Sequence, residues 1–298
     1  MNNNASLRCG NAARWLAPTV LAACILAAPA FAQTASTVNP NHGSIVVKKF
    51  YDANANGVRD AYEPWLSNWP MTLTGNGSSS TKPTTATWSG LPGGPGYSVQ
   101  EAMPVETNWV QTAPRVNGTP VNPYTLTVIP CKTTVVKFGN YCTKGSGGRT
   151  PGYWTNQNGE ARMNDGGTMA PELGLLSSLN LVDASGNAFD PLDYASFEAW
   201  LRARNATNMA YQLSGHLAAM TLNVESGLVN GDATFLPCNC TINELMEDAN
   251  ESLGTNPYTP EGHPERANQE TLKNWLDALN NGAQIVSPTP CKRTFATT

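Results

Sequence analysis

The chain has 298 residues, with 18 Lys and Arg against 22 Asp and Glu, and only 13% of its residues are charged. This mildly acidic balance excludes nucleic acid and anionic lipid as the main partner, because both need a basic protein surface. A hydrophobic content of 40% provides for a packed core and excludes wholesale disorder. Asn, Thr, Ser and Gly must therefore supply much of the polar surface in place of charged side chains, which is common in extracellular proteins.

Residues 1–32 have the pattern of a bacterial signal peptide. Two arginines precede a mostly apolar stretch at 15–28, and Ala30 and Ala32 place small side chains where signal peptidase reads. We therefore expect cleavage after Ala32 and a protein that is secreted or held at the bacterial cell surface.

Two alternatives to a cleaved signal peptide remain. Leu21-Ala22-Ala23-Cys24 resembles a lipoprotein box, which would leave a lipid on Cys24. A transmembrane anchor needs about 20 apolar residues, and Pro18 and Pro29 interrupt the stretch before that length. No later segment is apolar enough, so the sequence predicts no transmembrane span.

The region 43–141 is predicted to form an antiparallel β-sandwich. Short β-branched and aromatic runs alternate there with Gly, Pro and Asn turns, which is the spacing of all-β domains. A linker at 33–42 precedes it, and a glycine-rich, flexible hinge at 142–152 follows. The predicted strands cover 45–51, 71–74, 84–88, 97–101, 124–129 and 134–138.

The segment DANANGVRDAYE, residues 52–63, has the pattern of a calcium-binding loop. A hard divalent cation takes about six to eight oxygen ligands, and this segment offers oxygens at the required positions around a glycine that allows a sharp turn. Because a predicted strand precedes it, the loop would be a structural calcium site rather than a helix-loop-helix sensor. An ordinary polar β-turn is the alternative. The expected ligands are Asp52, Asn54, Asn56, the Val58 carbonyl, Asp60 and Glu63, with Gly57 at the turn.

Beyond the hinge, residues 153–298 change to a helical pattern, in which apolar residues recur at steps of three and four. About four or five such helices suffice for a bundle-like domain. The fold class is therefore α+β as two domains, a β-sandwich and then an all-α domain. The predicted landmarks are a helix start at Asp190-Pro191, the longest helix from Asn205 or Thr207 to Leu228, a capping box at Thr241 and Glu244, and a last helix over 265–280.

Five cysteines follow the signal peptide, and an exported protein is expected to use them in disulfides. Cys131 and Cys142 flank a predicted strand that would hold them about 35 Å apart, too far for a bond. We expect Cys291 to pair with Cys238 or Cys240, with Cys142 a candidate for the other, which leaves Cys131 over. Zinc held by Cys238, Cys240 and Cys291 is the alternative.

Tyr153 and Trp154, next to Asn156 and Asn158, form a candidate ligand site. Flat rings combined with amide groups are the chemistry that binds sugars or peptides. The alternative is that both rings fill the core at the entry to the helical domain.

The sequence does not indicate an enzyme. His42, His216 and His263 are the three histidines, and His216 lies on the apolar stripe of the longest predicted helix, where a core histidine is expected. No G-x-S-x-G or H-E-x-x-H motif occurs. Since a glycosidase needs only two carboxylates, an unrecognised hydrolase stays open as a third hypothesis.

The predicted sandwich contains a series of motifs in a specific order. They are Gly43–Lys49, the loop at 52–63, Gly90–Pro92, Tyr97–Glu101, Trp109–Thr112 and Phe138–Tyr141. Together they resemble the B-type domain of serine-aspartate-repeat adhesins and its Cna B-type relatives, over about a third of the chain. The resemblance implies a prealbumin-like sandwich that acts as a calcium-stiffened spacer in surface proteins, without enzyme activity. The part from Thr150 onward is similar to an uncharacterised helical module of secreted bacterial proteins.

The same resemblance implies a further chemical feature. Some Cna B-type relatives carry an isopeptide bond between Lys and Asn that an acidic residue promotes, and Lys49, Asn140 and Glu101 lie in comparable strands here. The alternative is that Lys48 and Lys49 form a solvated strand edge, where lysine discourages aggregation.

These observations favour a secreted or cell-surface structural and adhesive protein with a calcium-stabilised spacer. Its partner would be an extracellular-matrix or cell-surface component, with glycans among the candidates. A carbohydrate- or peptide-binding module is the second hypothesis.

Overall fold

The computed structural model describes residues 41–102 and 108–293. The predicted signal peptide, Cys24 and nearly all of the linker at 33–42 lie outside the described residues. Within them, strands predominate up to Gly145 and helices predominate from Pro151 onward, which confirms the predicted α+β class. No helix in this part of the chain is long and apolar enough to span a bilayer.

The six predicted strands are present, and the described residues contain others that the sequence did not reveal. β4 was missed because its sequence, SSSTKP, is polar and mostly exposed and so lacks apolar alternation. The strands are β1 (His42–Tyr51), β2 (Trp65–Leu66), β3 (Pro70–Gly75), β4 (Ser78–Pro83), β5 (Ala86–Pro92), β6 (Gly94–Glu101), β7 (Trp109–Ala113), β8 (Arg115–Val116), β9 (Thr119–Pro120), β10 (Tyr124–Val128), β11 (Thr133–Gly145), β12 (Thr234–Phe235), β13 (Cys240–Thr241) and β14 (Gln284–Val286).

β1 is a central strand of the larger sheet. It pairs with β11 along one edge and with β2 and β5 along the other, while β7 and β14 pair with β11. The β1–β11 pair is parallel, unlike the antiparallel pairing expected throughout the sandwich. Alternate residues of β1 are buried, as the two-residue period of a strand requires.

The smaller sheet has the order β10-β6-β3-β4. Its inward side chains share one hydrophobic cluster with those of the larger sheet, so the two sheets enclose a common core. This two-layer arrangement is that of a β-sandwich.

Capping residues mark where several of the helices begin. The Thr241–Glu244 capping box is confirmed, because each side chain bonds the backbone of the other residue. The predicted start at Asp190-Pro191 is wrong by three residues, since Asp193 forms a capping box with Ser196 instead. The helices are α1 (Pro151–Trp154), α2 (Gln157–Met163), α3 (Ala170–Ser177), α4 (Tyr194–Ala203), α5 (Met209–Glu225), α6 (Ile242–Thr255) and α7 (Arg266–Asn280).

α5 is the central helix of the helical part. Nearly all of its residues are buried, and they pack in one cluster with apolar side chains of the surrounding helices. A helix that is buried all round is a core helix, so the other helices are built around it.

The segment predicted as a flexible hinge at 142–152 is packed instead. β11 continues to Gly145 and pairs with β14, and the Ser146 hydroxyl donates to the Leu279 carbonyl at 2.6 Å. A Cβ on Gly148 would lie 2.3 Å from the Leu279 oxygen, so glycine permits this close approach. The glycines of this segment serve packing rather than flexibility.

The disulfides also differ from the prediction. Cys142 is bonded to Cys291, and Cys238 is bonded to Cys240, so the expected pairing of Cys291 with Cys238 or Cys240 is wrong. Cys131 is disulfide-bonded too and is not left over. These bonds separate Cys291 from Cys238 and Cys240, which contradicts the alternative of a zinc site on those three residues. The physical reason is that β14 brings the chain beyond α7 back beside β11.

Candidate functional site

Three polar side chains meet in the core of the sandwich. Lys49 is 1% exposed, and Glu101 and Asn140 are fully buried. The Lys49 ammonium donates to Glu101 Oε2 at 2.5 Å and to the Asn140 side-chain oxygen. The Asn140 amide nitrogen donates to Glu101 Oε1 at 3.4 Å. The structure therefore brings together the three residues that the resemblance singled out.

Both sheets contribute to this cluster. Lys49 lies on the inward face of β1, in the same alternation as Ile45 and Val47, and Asn140 lies on the neighbouring strand β11. In the parallel register Tyr51 is opposite Asn140, so Lys49 comes two residues before that position. Glu101 ends β6 of the opposite sheet. The carboxylate therefore reaches the Lys–Asn pair across the core.

The surroundings of the Lys49 ammonium are apolar. The Trp69 ring centre lies 4.3 Å from Nζ, and the Phe138 ring centre lies 6.0 Å from it. Burial lowers the pKa of Lys49 to about 8, although the charge of Glu101 and its hydrogen bond oppose this shift. A larger fraction of this amine is therefore neutral and nucleophilic than of an ordinary lysine. Trp69 was not found from the sequence, because no strand pattern or motif includes it.

The interpretation of Lys48 and Lys49 as a solvated strand edge is wrong for Lys49. β1 is paired along both edges, and the Lys49 side chain is enclosed by the core. Lys48 points to the other face of the sheet and places its ammonium 5.2 Å from the Trp65 ring centre. Two adjacent lysines thus lie in opposite environments.

The predicted calcium loop closes directly after β1. Asp52 is buried, and its carboxylate accepts hydrogen bonds from the backbone N–H groups of Asn56 and Gly57 at 3.0 and 2.7 Å. Gly57 has a φ of 80°, which a glycine adopts without strain. Glu63 is also buried and spans the loop, because its two oxygens accept from the N–H groups of Ala53 and Asp60 at 2.7 and 3.0 Å.

The charges of this loop are unbalanced. Neither Asp52 nor Glu63 forms an ion pair within the described residues. Burial raises the pKa of Glu63, and the nearby charges of Asp52 and Asp60 add to the rise. The Arg115 guanidinium packs against Gly57 but pairs with neither carboxylate. Buried carboxylates without an ion pair are costly, and a divalent cation would relieve that cost.

The donor chemistry of the loop fits calcium. In the part of the chain that the structure describes, no cluster of three or more His, Cys, Asp or Glu side chains is arranged as a metal site. The predicted ligand set adds the amide oxygens of Asn54 and Asn56 and the Val58 carbonyl to the carboxylates of the loop. The Asn54 and Asn56 amide nitrogens both donate to Asp60 Oδ2, at 2.8 and 3.1 Å, which gathers the loop around that carboxylate.

The two rings of the candidate ligand site differ in exposure, because Tyr153 is half-buried and Trp154 is buried. Trp154 is 1% exposed and belongs to the helical core, and Tyr153 packs edge-on against it with ring centres 5.2 Å apart. Asn156 caps α2 by accepting from the N–H groups of Asn158 and Gly159. Trp154 therefore matches the alternative interpretation, in which the ring fills the core at the entry to the helical domain.

Replacing Trp154 by Ala is therefore expected to destabilise the helical domain by about 3–5 kcal/mol, because it empties a core position. Urea unfolding followed by circular dichroism measures this loss. Asn158→Ala, which changes an exposed neighbour, is the matched control and should change little. Equal stability of Trp154→Ala and the parent protein would contradict the core assignment.

His216 is a core residue, as predicted. Its Nδ1 lies 3.6 Å from Asp277 Oδ1, and burial lowers its pKa to about 4 against the opposing charge of Asp277. His216 therefore stays neutral on a buried face of α5, in the helical part, and does not belong to the cluster of Lys49, Glu101 and Asn140 in the sandwich.

No family model matches the chain, and no curated protein matches it. Among solved structures, one similar chain is GBS52, the minor pilin in the gram-positive pathogen Streptococcus agalactiae. The sequences are 14% identical, and the match covers 34% of this chain and 44% of that chain with a TM-score of 0.24. At this level the similarity assigns neither a fold nor a function. The resemblance to adhesin B-type domains stays a prediction.

Proposed function

We propose that this protein is a secreted or cell-surface structural component whose β-sandwich is a stiff spacer, covalently cross-linked between Lys49 and Asn140 and stabilised by calcium. The buried cluster of Lys49, Glu101 and Asn140 is the observation that carries the proposal. A buried ion pair alone is weak evidence for stability. Here, however, the amine also contacts the carboxamide oxygen, which places a nucleophile beside an amide carbon.

The cross-link would form by acyl transfer within the cluster. Glu101 takes a proton from the Lys49 ammonium, and the neutral amine attacks Cγ of Asn140. The new Nζ–Cγ bond replaces the Cγ–Nδ2 bond, and Glu101 protonates Nδ2 as it leaves. A second proton passes from Nζ to Glu101 and then to the ammonia, which departs as ammonium. Atoms and charge balance, and Glu101 ends in its starting state.

Intact-mass spectrometry tests this step. The mature protein is expected to weigh one ammonia less than its sequence requires, and proteolysis should release one branched peptide that joins Lys49 to Asn140. Lys49→Met, Glu101→Ala and Asn140→Ala should each retain the full mass. Lys48→Met changes the outward-facing neighbour and should still lose ammonia. Full mass in the unaltered protein would refute the cross-link.

Calcium would bind in the loop at 52–63, held by the carboxylates of Asp52, Asp60 and Glu63 with the neighbouring amide and carbonyl oxygens. When bound, it supplies the positive charge that the buried carboxylates lack. The loop also touches the helical part, where the Thr234 hydroxyl donates to the Ala53 carbonyl at 3.4 Å. A rigid loop would therefore stiffen the junction as well as the sandwich.

Calcium is expected to raise the free energy of unfolding by about 2.7 kcal/mol when its free concentration is a hundredfold above Kd. The gain should shrink as the pH falls from neutral toward 4.5, the ordinary pKa of Glu63. The folded pKa is raised, so without calcium the native state binds the extra proton and becomes relatively more stable on acidification. With calcium, the same proton competes with the cation.

Thermal unfolding with calcium and with EDTA, repeated across that pH range, measures both effects. Asp52→Asn should lose most of the calcium response. Asp248→Asn, which removes an exposed carboxylate of α6, should keep it. A melting temperature that EDTA leaves unchanged at neutral pH would contradict the calcium site.

A further inference from the structure

We propose that the Cys238–Cys240 disulfide is a thiol–disulfide exchange site that oxidises cysteine thiols of exported proteins or peptides. This function is separate from the spacer role. It is inferred from the position of the bond in the fold, its partial exposure and its contrast with the Cys142–Cys291 disulfide.

The bond lies at the tip of a two-stranded hairpin. β12 and β13 pair through Phe235 and Cys240, and the connecting residues 236–239 carry Cys238. Asn239, between the two cysteines, is exposed and has a φ of 54°. Both cysteines are half-buried and pack against the helical core. The disulfide therefore lies at the border of the core, with part of each cysteine exposed to solvent.

This bond is poorly placed to stabilise the fold. A disulfide restricts the unfolded chain more as the loop it closes becomes longer. Cys238 and Cys240 are separated by 2 positions and are both half-buried, whereas Cys142 and Cys291 are separated by 149, with Cys142 fully buried and Cys291 half-buried. A short, accessible disulfide of this kind belongs to the exchangeable class rather than the structural class.

A cavity reaches Cys240, one of the two bonded residues. It has a volume of about 660 Å³ and lies between the loop at 52–63 and the start of α6. That volume is in the range of small-molecule sites. The cavity lining includes Cys240, Asn56, Tyr62, Arg115, Thr241 and Glu244. Cys238 is not part of this lining, and its sulfur lies 3.2 Å from the Phe235 carbonyl oxygen.

The exchange conserves atoms and electrons. A substrate thiolate attacks the Cys240 sulfur, the Cys238–Cys240 bond breaks, and Cys238 leaves as a thiolate that takes up a proton. A second thiolate of the same substrate then attacks the mixed disulfide and releases Cys240. The substrate dithiol loses two electrons and two protons and becomes a disulfide, while the two cysteines gain both and become thiols.

The relative reactivity of the two disulfides is the first test. The folded protein is equilibrated with graded ratios of reduced and oxidised glutathione, quenched with acid, and its free thiols are labelled and located by peptide mass spectrometry. We expect Cys238–Cys240 to be half reduced at a reduced-glutathione concentration about tenfold or more below that needed for Cys142–Cys291. Equal resistance of the two bonds would overturn the proposal.

Substrate oxidation is the second test. One equivalent of a reduced peptide with two cysteines is mixed with the oxidised protein, and peptide disulfide is followed by chromatography, with glutathione as a parallel arm. We expect peptide oxidation that the Cys238→Ser/Cys240→Ser variant loses completely and the Cys142→Ser/Cys291→Ser variant retains. Reaction with glutathione alone would overturn the assignment to protein thiols. If a serine variant fails to fold, the appearance of labelled Cys238 and Cys240 in the parent protein, in step with peptide oxidation, decides the same question.

Discussion

Replacing Glu101 by Ala is expected to lower the free energy of unfolding by at least about 3–5 kcal/mol, because the Lys49 ammonium would stay in the core without its counter-charge and the proposed bond to Asn140 would not form. The Trp69 and Phe138 rings that surround Nζ offer only weak compensation. Urea unfolding at neutral pH, followed by tryptophan fluorescence, measures the loss. A change below about 1 kcal/mol would mean that the carboxylate does not hold this lysine.

A double replacement separates an ion pair from a covalent bond. Lys49→Met with Glu101→Leu removes both charges and fills the space with apolar side chains, which for an ion pair alone is close to neutral. If the proposed bond forms, the same variant stays well below the parent protein, because Lys49 and Asn140 are 91 positions apart and their link restricts the unfolded chain. Recovery to the parent stability would therefore exclude the bond.

Removing the Cys142–Cys291 disulfide, with Ala at both positions, is expected to destabilise the protein by about 4–5 kcal/mol. The bond closes a loop of 149 positions, and its loss leaves the pairing of β14 with β11 without a covalent tie. Denaturant unfolding of the variant and the parent, both without added reductant, gives the difference.

The Cys238–Cys240 disulfide is the internal control for that measurement. Removing Cys238–Cys240 should cost only about 1–2 kcal/mol by the same chain-entropy relation. Equal losses for the two variants would show that loop length does not determine the stabilisation, and that native contacts near each bond do.

Local signals allowed much of the helical half to be predicted. The Thr241 capping box and the span of α7 follow from residues within one turn of each helix end. β14 was not predictable in this way. It has three residues, and its place in the sheet depends on a partner more than a hundred positions earlier.

The candidate site also has one part that could be predicted from the sequence and one that could not. The candidate calcium ligands of the loop at 52–63 lie in one contiguous segment, so their pattern could be recognised in the sequence. Calcium binding there is a prediction. The Lys49 cluster draws on three distant strands, and only the resemblance to a known domain suggested it. The sequence alone favoured an exposed strand edge, because burial of a lysine depends on which strands flank it.

The return of the chain to β11 determines how the molecule would carry mechanical tension. A force applied between His42 and Cys291 would first act on β1. It would be transmitted to β11 through the hydrogen bonds between the two strands and through the Lys49–Asn140 contact, and then from Cys142 to Cys291 through their disulfide. All seven helices within the described residues lie between those two cysteines in sequence. The applied force would therefore act on the sandwich and bypass the helical half, which would not be stretched.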